Sequence, residues 1–99
     1  MIYFKKIRSV KLPAEVQGYI YFQCMNYKRL PKEMKSKIKK CCLLAGKEHH
    51  KALFEEMTSH TKSITEISMD HNICLRLAYT IRKKFYEEYA KYCFDFSMD

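Results

Sequence analysis

Glycine and proline are scarce in this chain, two of each in 99 residues. Hairpin-rich folds spend those residues at their turns, so the scarcity argues against a sheet protein. Tryptophan is absent, and no apolar run approaches the roughly 20 residues that span a bilayer, so a soluble protein with no membrane partner is expected. The constellations on which enzymes rest are missing as well: there is no glycine-rich phosphate loop, no nucleophile elbow and no pair of carboxylates in an apolar setting. The acids, for instance Glu55, Glu56, Glu87 and Glu88, stand near Lys or Arg as ordinary helix-surface charge. An enzyme is therefore not expected, nor a cofactor. Cys24, Cys41, Cys42, Cys74 and Cys93 are odd in number, lack C-x-x-C spacing and follow no signal peptide, which points to reduced thiols in a cytoplasmic protein. His49 and His50 lack the H-E-x-x-H spacing of a zinc site, and no metal is expected; one surface and one half-buried imidazole account for the pair.

What is present suits helices. Apolar residues make up 47% of the chain, enough for a core, and Lys, Glu, Leu, Ala and Met are helix formers. The length allows one small domain over residues 1–99. We therefore expect an all-α fold of four to five helices. The net charge of +8 favours a polyanionic partner, and its distribution is uneven. Residues 1–62 hold 14 Lys or Arg against 5 acids, whereas residues 63–99 hold 5 against 6. The basic surplus thus lies in the first two thirds.

Residues 1–11 alternate loosely between apolar and basic side chains, as a short strand, an extended arm or a frayed tail would; an arm docked through Tyr3, Phe4 and Ile7 is preferred. Pro13 opens a first helix with Val16, Ile20, Cys24 and Tyr27 on one stripe, and with so many other aromatics that a second buried side or a partner surface is implied. Pro31 opens a second, with Leu30, Met34, Ile38, Cys41 and Ala45 inward and Gly46 at its C-cap. The opposite face carries Lys32, Lys35, Lys39 and Lys40, just after Lys28 and Arg29. This is either a solvated face or a stripe that contacts the phosphates of DNA or RNA. A third helix over residues 47–58 turns His50, Leu53, Phe54 and Met57 inward. Residues 95–99 form a short acidic tail.

The stretch from Ser63 to Tyr89 is the most specific in the chain. Ser63 and Glu66 have the spacing of a capping box, which starts a short helix bearing Ile64 and Ile67. Asn72 tolerates the left-handed conformation of a tight turn. A longer helix from Cys74 then sets Ala78, Ile81, Phe85 and Tyr89 on one face. The pattern predicts a helix-turn-helix over about 63–83, extended to about residue 92, with a core of Ile67, Ile73, Ala78, Ile81 and Phe85. Two amphipathic helices with any short turn would share much of it. In a helix-turn-helix the outer face would offer Leu75, Arg76, Tyr79 and Thr80 to base edges in the major groove, and Arg82, Lys83 and Lys84 to phosphates. The leading turn is unusually apolar, and one of Leu75 and Leu77 should pack inward while the other stays exposed.

The run from LPKEMKSKI through ALFEEM to SITEISMDHNI and YTIRKKFYEEY resembles small helix-turn-helix proteins of bacteriophages and prophages in low-GC Gram-positive bacteria. Over residues 30–90 it is similar to phage late-gene transcriptional regulators with a sigma-factor-like promoter-binding domain. The resemblance implies a DNA-binding regulator of phage promoters in which Arg76, Tyr79, Thr80 and Lys83 face DNA. Cys74 departs from it, since those proteins generally place Ser or Thr there. The leading expectation is thus a duplex-DNA-binding protein, a homo-oligomer because one motif reads few base pairs. The alternatives are a protein-interaction module that contacts a host protein through the aromatic first helix, Leu75 and Leu77, and a ring-forming DNA-packaging component of the small-terminase kind.

Overall fold

The structure, a computed structural model, describes Ile7, residues 10–59 and residues 61–94, the last two by backbone alone. Expectations placed on Tyr3, Phe4, Cys93 and the acidic tail lie outside the described residues or side chains. The described residues contain five α-helices and no strand: α1 (Ala14–Met25), α2 (Lys32–Gly46), α3 (His50–Thr58), α4 (Ile64–Asp70) and α5 (Leu75–Phe94). The all-α expectation holds.

Pro13 and Pro31 stand immediately before α1 and α2, with φ of −57° and −60°. Their carbonyls accept the first intrahelical bonds, from the amides of Gln17 at 3.1 Å and Lys35 at 3.0 Å, and a missing proline N–H costs nothing at that place. The junction of α2 and α3 differs from expectation. Gly46 is the last residue of α2 with an ordinary φ of −93°, and the left-handed residue is Lys47, at φ 51° and ψ −119°. A Cβ at Gly46 would lie 3.4 Å from Leu53 Cδ2, near an ordinary contact, so neither its backbone nor its packing demands a glycine. A short 3-10 turn over Lys47–His49 takes up the start of the predicted third helix, which begins at His50.

The centre of the molecule is α2 against α5, with α1 and α3 closing the sides. Ile20 and Cys24 from α1, Ile38 and Cys41 from α2, Leu53 from α3 and Phe85 and Tyr89 from α5 are all essentially inaccessible to solvent. Full burial of each large apolar side chain stabilises the fold by about 1.5–3 kcal/mol. Phe85 and Tyr89 stack with rings 5.6 Å apart and nearly parallel. The Tyr89 hydroxyl donates to Gln23 Oε1 at 2.9 Å, which ties α5 to α1 without leaving the buried phenol unsatisfied.

The segment before α1 is held by a residue that the periodicity did not flag. Gln17 is fully buried; its Oε1 accepts from the Ile7 amide at 2.8 Å, and its Nε2 donates to the carbonyls of Leu12 (3.0 Å), Val10 (3.2 Å) and Ile7 (3.2 Å). One amide therefore satisfies the backbone of an irregular segment and lets Val10 and Leu12 enter the core. Ile7 packs against that core half-buried.

Candidate nucleic-acid interface

The residues from Ser63 to Leu77 form the most tightly specified local structure in the chain. Ser63 Oγ accepts from the Glu66 amide at 3.2 Å, and Glu66 Oε1 accepts from the Ser63 amide at 3.4 Å, so the predicted capping box is present. At the other end of α4 the amide of Ile73 donates to the Ser68 carbonyl at 2.9 Å and that of Asn72 to Met69 at 3.2 Å. With Asn72 at φ 55°, these are the two bonds of a Schellman termination. Ile73 then lies beside Ile67 around a small hollow also lined by Leu53, Ala78 and Ile81. Cys74 opens α5: its carbonyl accepts from the Ala78 amide at 3.1 Å and its sulfur from the Leu77 amide at 3.4 Å. The thiol occupies the place of a capping hydroxyl, as a weaker acceptor.

Faces of α5 divide sharply. Ala78, Ile81 and Phe85 are buried, Leu77 is half-buried against the core, and Leu75, Arg76, Tyr79 and Thr80 are exposed. Leu77 is thus the leucine that packs inward. Arg76 enters no ion pair among the described residues, while its carbonyl accepts from the Thr80 hydroxyl at 3.0 Å. Met69 at the end of α4 is 75% exposed.

Arg82 is committed to the interior. Its Nη1 lies 3.5 Å from Glu56 Oε1, the two side chains only 21% and 14% exposed, and its guanidinium sits 5.0 Å from the Tyr79 ring centre. Glu56, expected at the surface, is instead pressed between α3 and α5. Burial raises its carboxyl above the ordinary 4.5, and Arg82 offsets part of that rise through charge and hydrogen bonding. A second set of ties anchors the turn: Glu55 meets His71 at 2.8 Å and Lys62 at 3.6 Å, and Lys62 meets Asp70 at 2.7 Å. The Lys62 ammonium holds the Asp70 carboxyl below its usual range.

The lysines of α2 do not gather around Arg76. Lys40 lies over the Tyr92 ring at 5.6 Å, while Leu44 and Ala45 flank the stretch of α5 from Lys83 to Lys91, so the two helices run antiparallel. Arg76 is sixteen residues before Tyr92, about 24 Å along the axis at 1.5 Å per residue. The Lys35 ammonium lies 5.6 Å from the Tyr27 ring centre. Lys39 is exposed on the side of α2 that faces α3.

The cations nearest Arg76 along its own stripe are Lys83 and Lys84. They line a groove of about 500 Å³ together with Leu12, Leu44, Ala45 and Ala90, the charged Glu87, Glu88 and Lys91, and Lys11. Lys11 was not expected here. Nothing in its local sequence marks it; it arrives because the Gln17 amide folds its neighbours onto the helices.

The chain matches no protein-family model, no curated protein and no solved structure. Among the described residues no three His, Cys, Asp or Glu side chains are placed to hold a metal ion, and no helix is long and apolar enough to cross a membrane.

Proposed function

We propose that the protein binds duplex DNA as a helix-turn-helix regulator, of the phage and prophage kind its sequence resembles, in the cytoplasm and as a homo-oligomer. The observation that carries this reading is the opening of α5. Leu75, Arg76, Tyr79 and Thr80 stand exposed on a helix whose opposite face is locked into the core, behind a turn fixed by the capping box and Asn72. Arg76, without an acidic partner among the described residues, supplies a fork of donors for a guanine edge, and Leu75 a methyl contact for thymine. Lys83 and Lys84 follow on the same stripe, where they meet phosphate together with Lys11, which lines the same groove.

Fluorescence anisotropy with duplex libraries over a series of salt concentrations tests this. Arg76→Ala should lower affinity for a selected site by 5- to 150-fold, that is about 1–3 kcal/mol, with little change in salt slope, whereas Lys83→Ala should lower the slope by about one. No binding to any duplex at low salt, or binding indifferent to salt, overturns the reading.

The exposed apolar surface of Met69 and Leu75 favours a second reading, contact with a partner protein. Leu75→Ser separates the two. Loss of a captured host protein with DNA binding intact supports the second.

A further inference from the structure

The α2–α3 face, remote from Arg76, carries an apolar groove that the DNA reading does not use. Its lining is Lys39, Cys42, Leu43, His50, Lys51 and Phe54, around a volume of about 340 Å³, within the ordinary range for clefts that take a ligand. Cys42 forms an aliphatic wall rather than a reactive group, because burial is the main cause that pushes its thiol up to about 12. Leu43 stands 54% exposed on the solvent side of α2, while Ile38, Cys41, Cys42 and Ala45 supply what the core needs from that helix. Its exposure therefore does nothing for the fold visible here. Lys39 and Lys51 are exposed and enter no ion pair among the described residues, and none of the six lining residues is acidic. Beyond Phe54 the apolar surface continues into a second hollow bordered by Tyr27, Lys28 and Arg29, again without an acid in its lining.

Charge complementarity restricts the occupant to something acidic, and the aromatic geometry chooses between nucleic acid and protein. Single strands bind such surfaces by stacking bases on open ring faces. Here the Tyr27 ring already carries the Lys35 ammonium at 5.6 Å and meets Phe54 edge-on at 5.0 Å, at 88°. The most exposed apolar side chain of the groove is the aliphatic Leu43, while the rings of His50 and Phe54 are half-buried.

We propose that the groove docks an acidic amphipathic helix of a partner protein. Leucine- or phenylalanine-sized side chains of that helix would lie against Leu43, Cys42 and Phe54, with its flanking carboxylates paired to Lys39 and Lys51. This assignment is independent of the DNA reading, since it shares no residue with the α5 stripe.

The probe is a fluorescein-labelled synthetic helix of about five turns, with leucine at i, i+3, i+4 and i+7 positions and glutamate elsewhere, titrated against the full chain. Micromolar binding is expected, weakened at least tenfold by the double change Lys39→Glu with Lys51→Glu and by Leu43→Glu, and unchanged in Arg76→Ala. The substituted positions are exposed, and circular dichroism with a thermal melt verifies that each variant is folded. Equal binding of a peptide with lysine in place of glutamate overturns the proposal, as does binding insensitive to the three substitutions. Failure of the acidic peptide to bind at millimolar concentration, with or without capture of single-stranded oligonucleotide by the same face, also overturns it.

Discussion

Arg82→Met tests the polar seam between α3 and α5 and has a pH signature that simple loss of packing lacks. Methionine keeps the aliphatic stem and removes the charge, so Glu56 is left 14% exposed without its partner. Exposed ion pairs are worth about 0–1 kcal/mol, while breaking a buried one costs about 3–5 kcal/mol. A single contact at 3.5 Å between side chains 14% and 21% exposed falls between these limits, and a loss of about 2 kcal/mol at pH 7.5 follows. With a urea slope of roughly 1–3 kcal/mol per molar, the unfolding midpoint drops by about 1 M.

The sign of the pH dependence follows from the raised carboxyl. Its folded value already lies above the ordinary 4.5 because of burial, and removing Arg82 takes away both influences that lower it. The variant therefore holds a proton on Glu56 in the folded state to a higher pH than the parent. Its stability falls relative to the parent as pH rises through that window, and the gap closes as pH falls toward 5. Replacing both partners, Glu56→Met with Arg82→Met, should restore stability to within about 1 kcal/mol, because no buried charge is left uncompensated. A loss equal at pH 5 and pH 8, or a double variant as unstable as the two single losses summed, refutes the reasoning.

Three further outcomes follow from the backbone and the core. Lys47→Gly should raise stability by about 1 kcal/mol, since φ 51° with ψ −119° strains any side chain; no rise in the thermal midpoint would show the strain to be absent. At Asn72, φ 55°, glycine should be neutral within about 0.5 kcal/mol and alanine should cost about 1 kcal/mol, by urea unfolding. Gln17→Leu should cost at least about 2 kcal/mol, because the Leu12 and Val10 carbonyls lose their donor inside the core, and hydrogen exchange of residues 10–12 should accelerate; an unchanged midpoint counts against the clamp.

Much of the helical frame was legible because its signals are local. Pro13, Pro31, the Ser63–Glu66 box and Asn72 each act within a few residues, and each lies where its pattern placed it. Apolar spacing likewise found Ile20, Ile38, Leu53 and Phe85. It could not find Gln17, whose role depends on a segment up to ten residues earlier folding back onto it. Nor could it pair Glu56 with Arg82 across 26 positions, since a charge on a helix face reads the same whether a partner or solvent awaits it. At the end of α2 a glycine looked like the natural left-handed residue, yet Gly46 keeps a φ of −93° and the left-handed residue is Lys47. Of the candidate site, the exposed residues of α5 could be named from periodicity. Their distance from the lysines of α2 could not, because spacing assigns faces and not the direction in which two helices pass.

That direction gives the uneven charge its meaning. Glu55, Glu56, Asp70 and Glu88 are each spent on an intramolecular ion pair, three of them binding α3 and α4 to their surroundings. The cations from Lys28 to Lys40 have no acidic partner among the described residues. These acids are spent inside the molecule, while unpaired bases remain for partners. A duplex seated on Arg76 reaches Lys40 only about 24 Å further on, or roughly seven base steps at 3.4 Å. With Arg76 on a base edge and Lys83, Lys84 and Lys11 alone on phosphates, log affinity should fall with log salt at a slope of about −2 to −3, at about 0.9 per phosphate neutralised. A slope steeper than about −6 would mean that α2 also lies on the phosphates, and the acidic helix proposed for the α2–α3 groove would then compete with DNA instead of binding beside it.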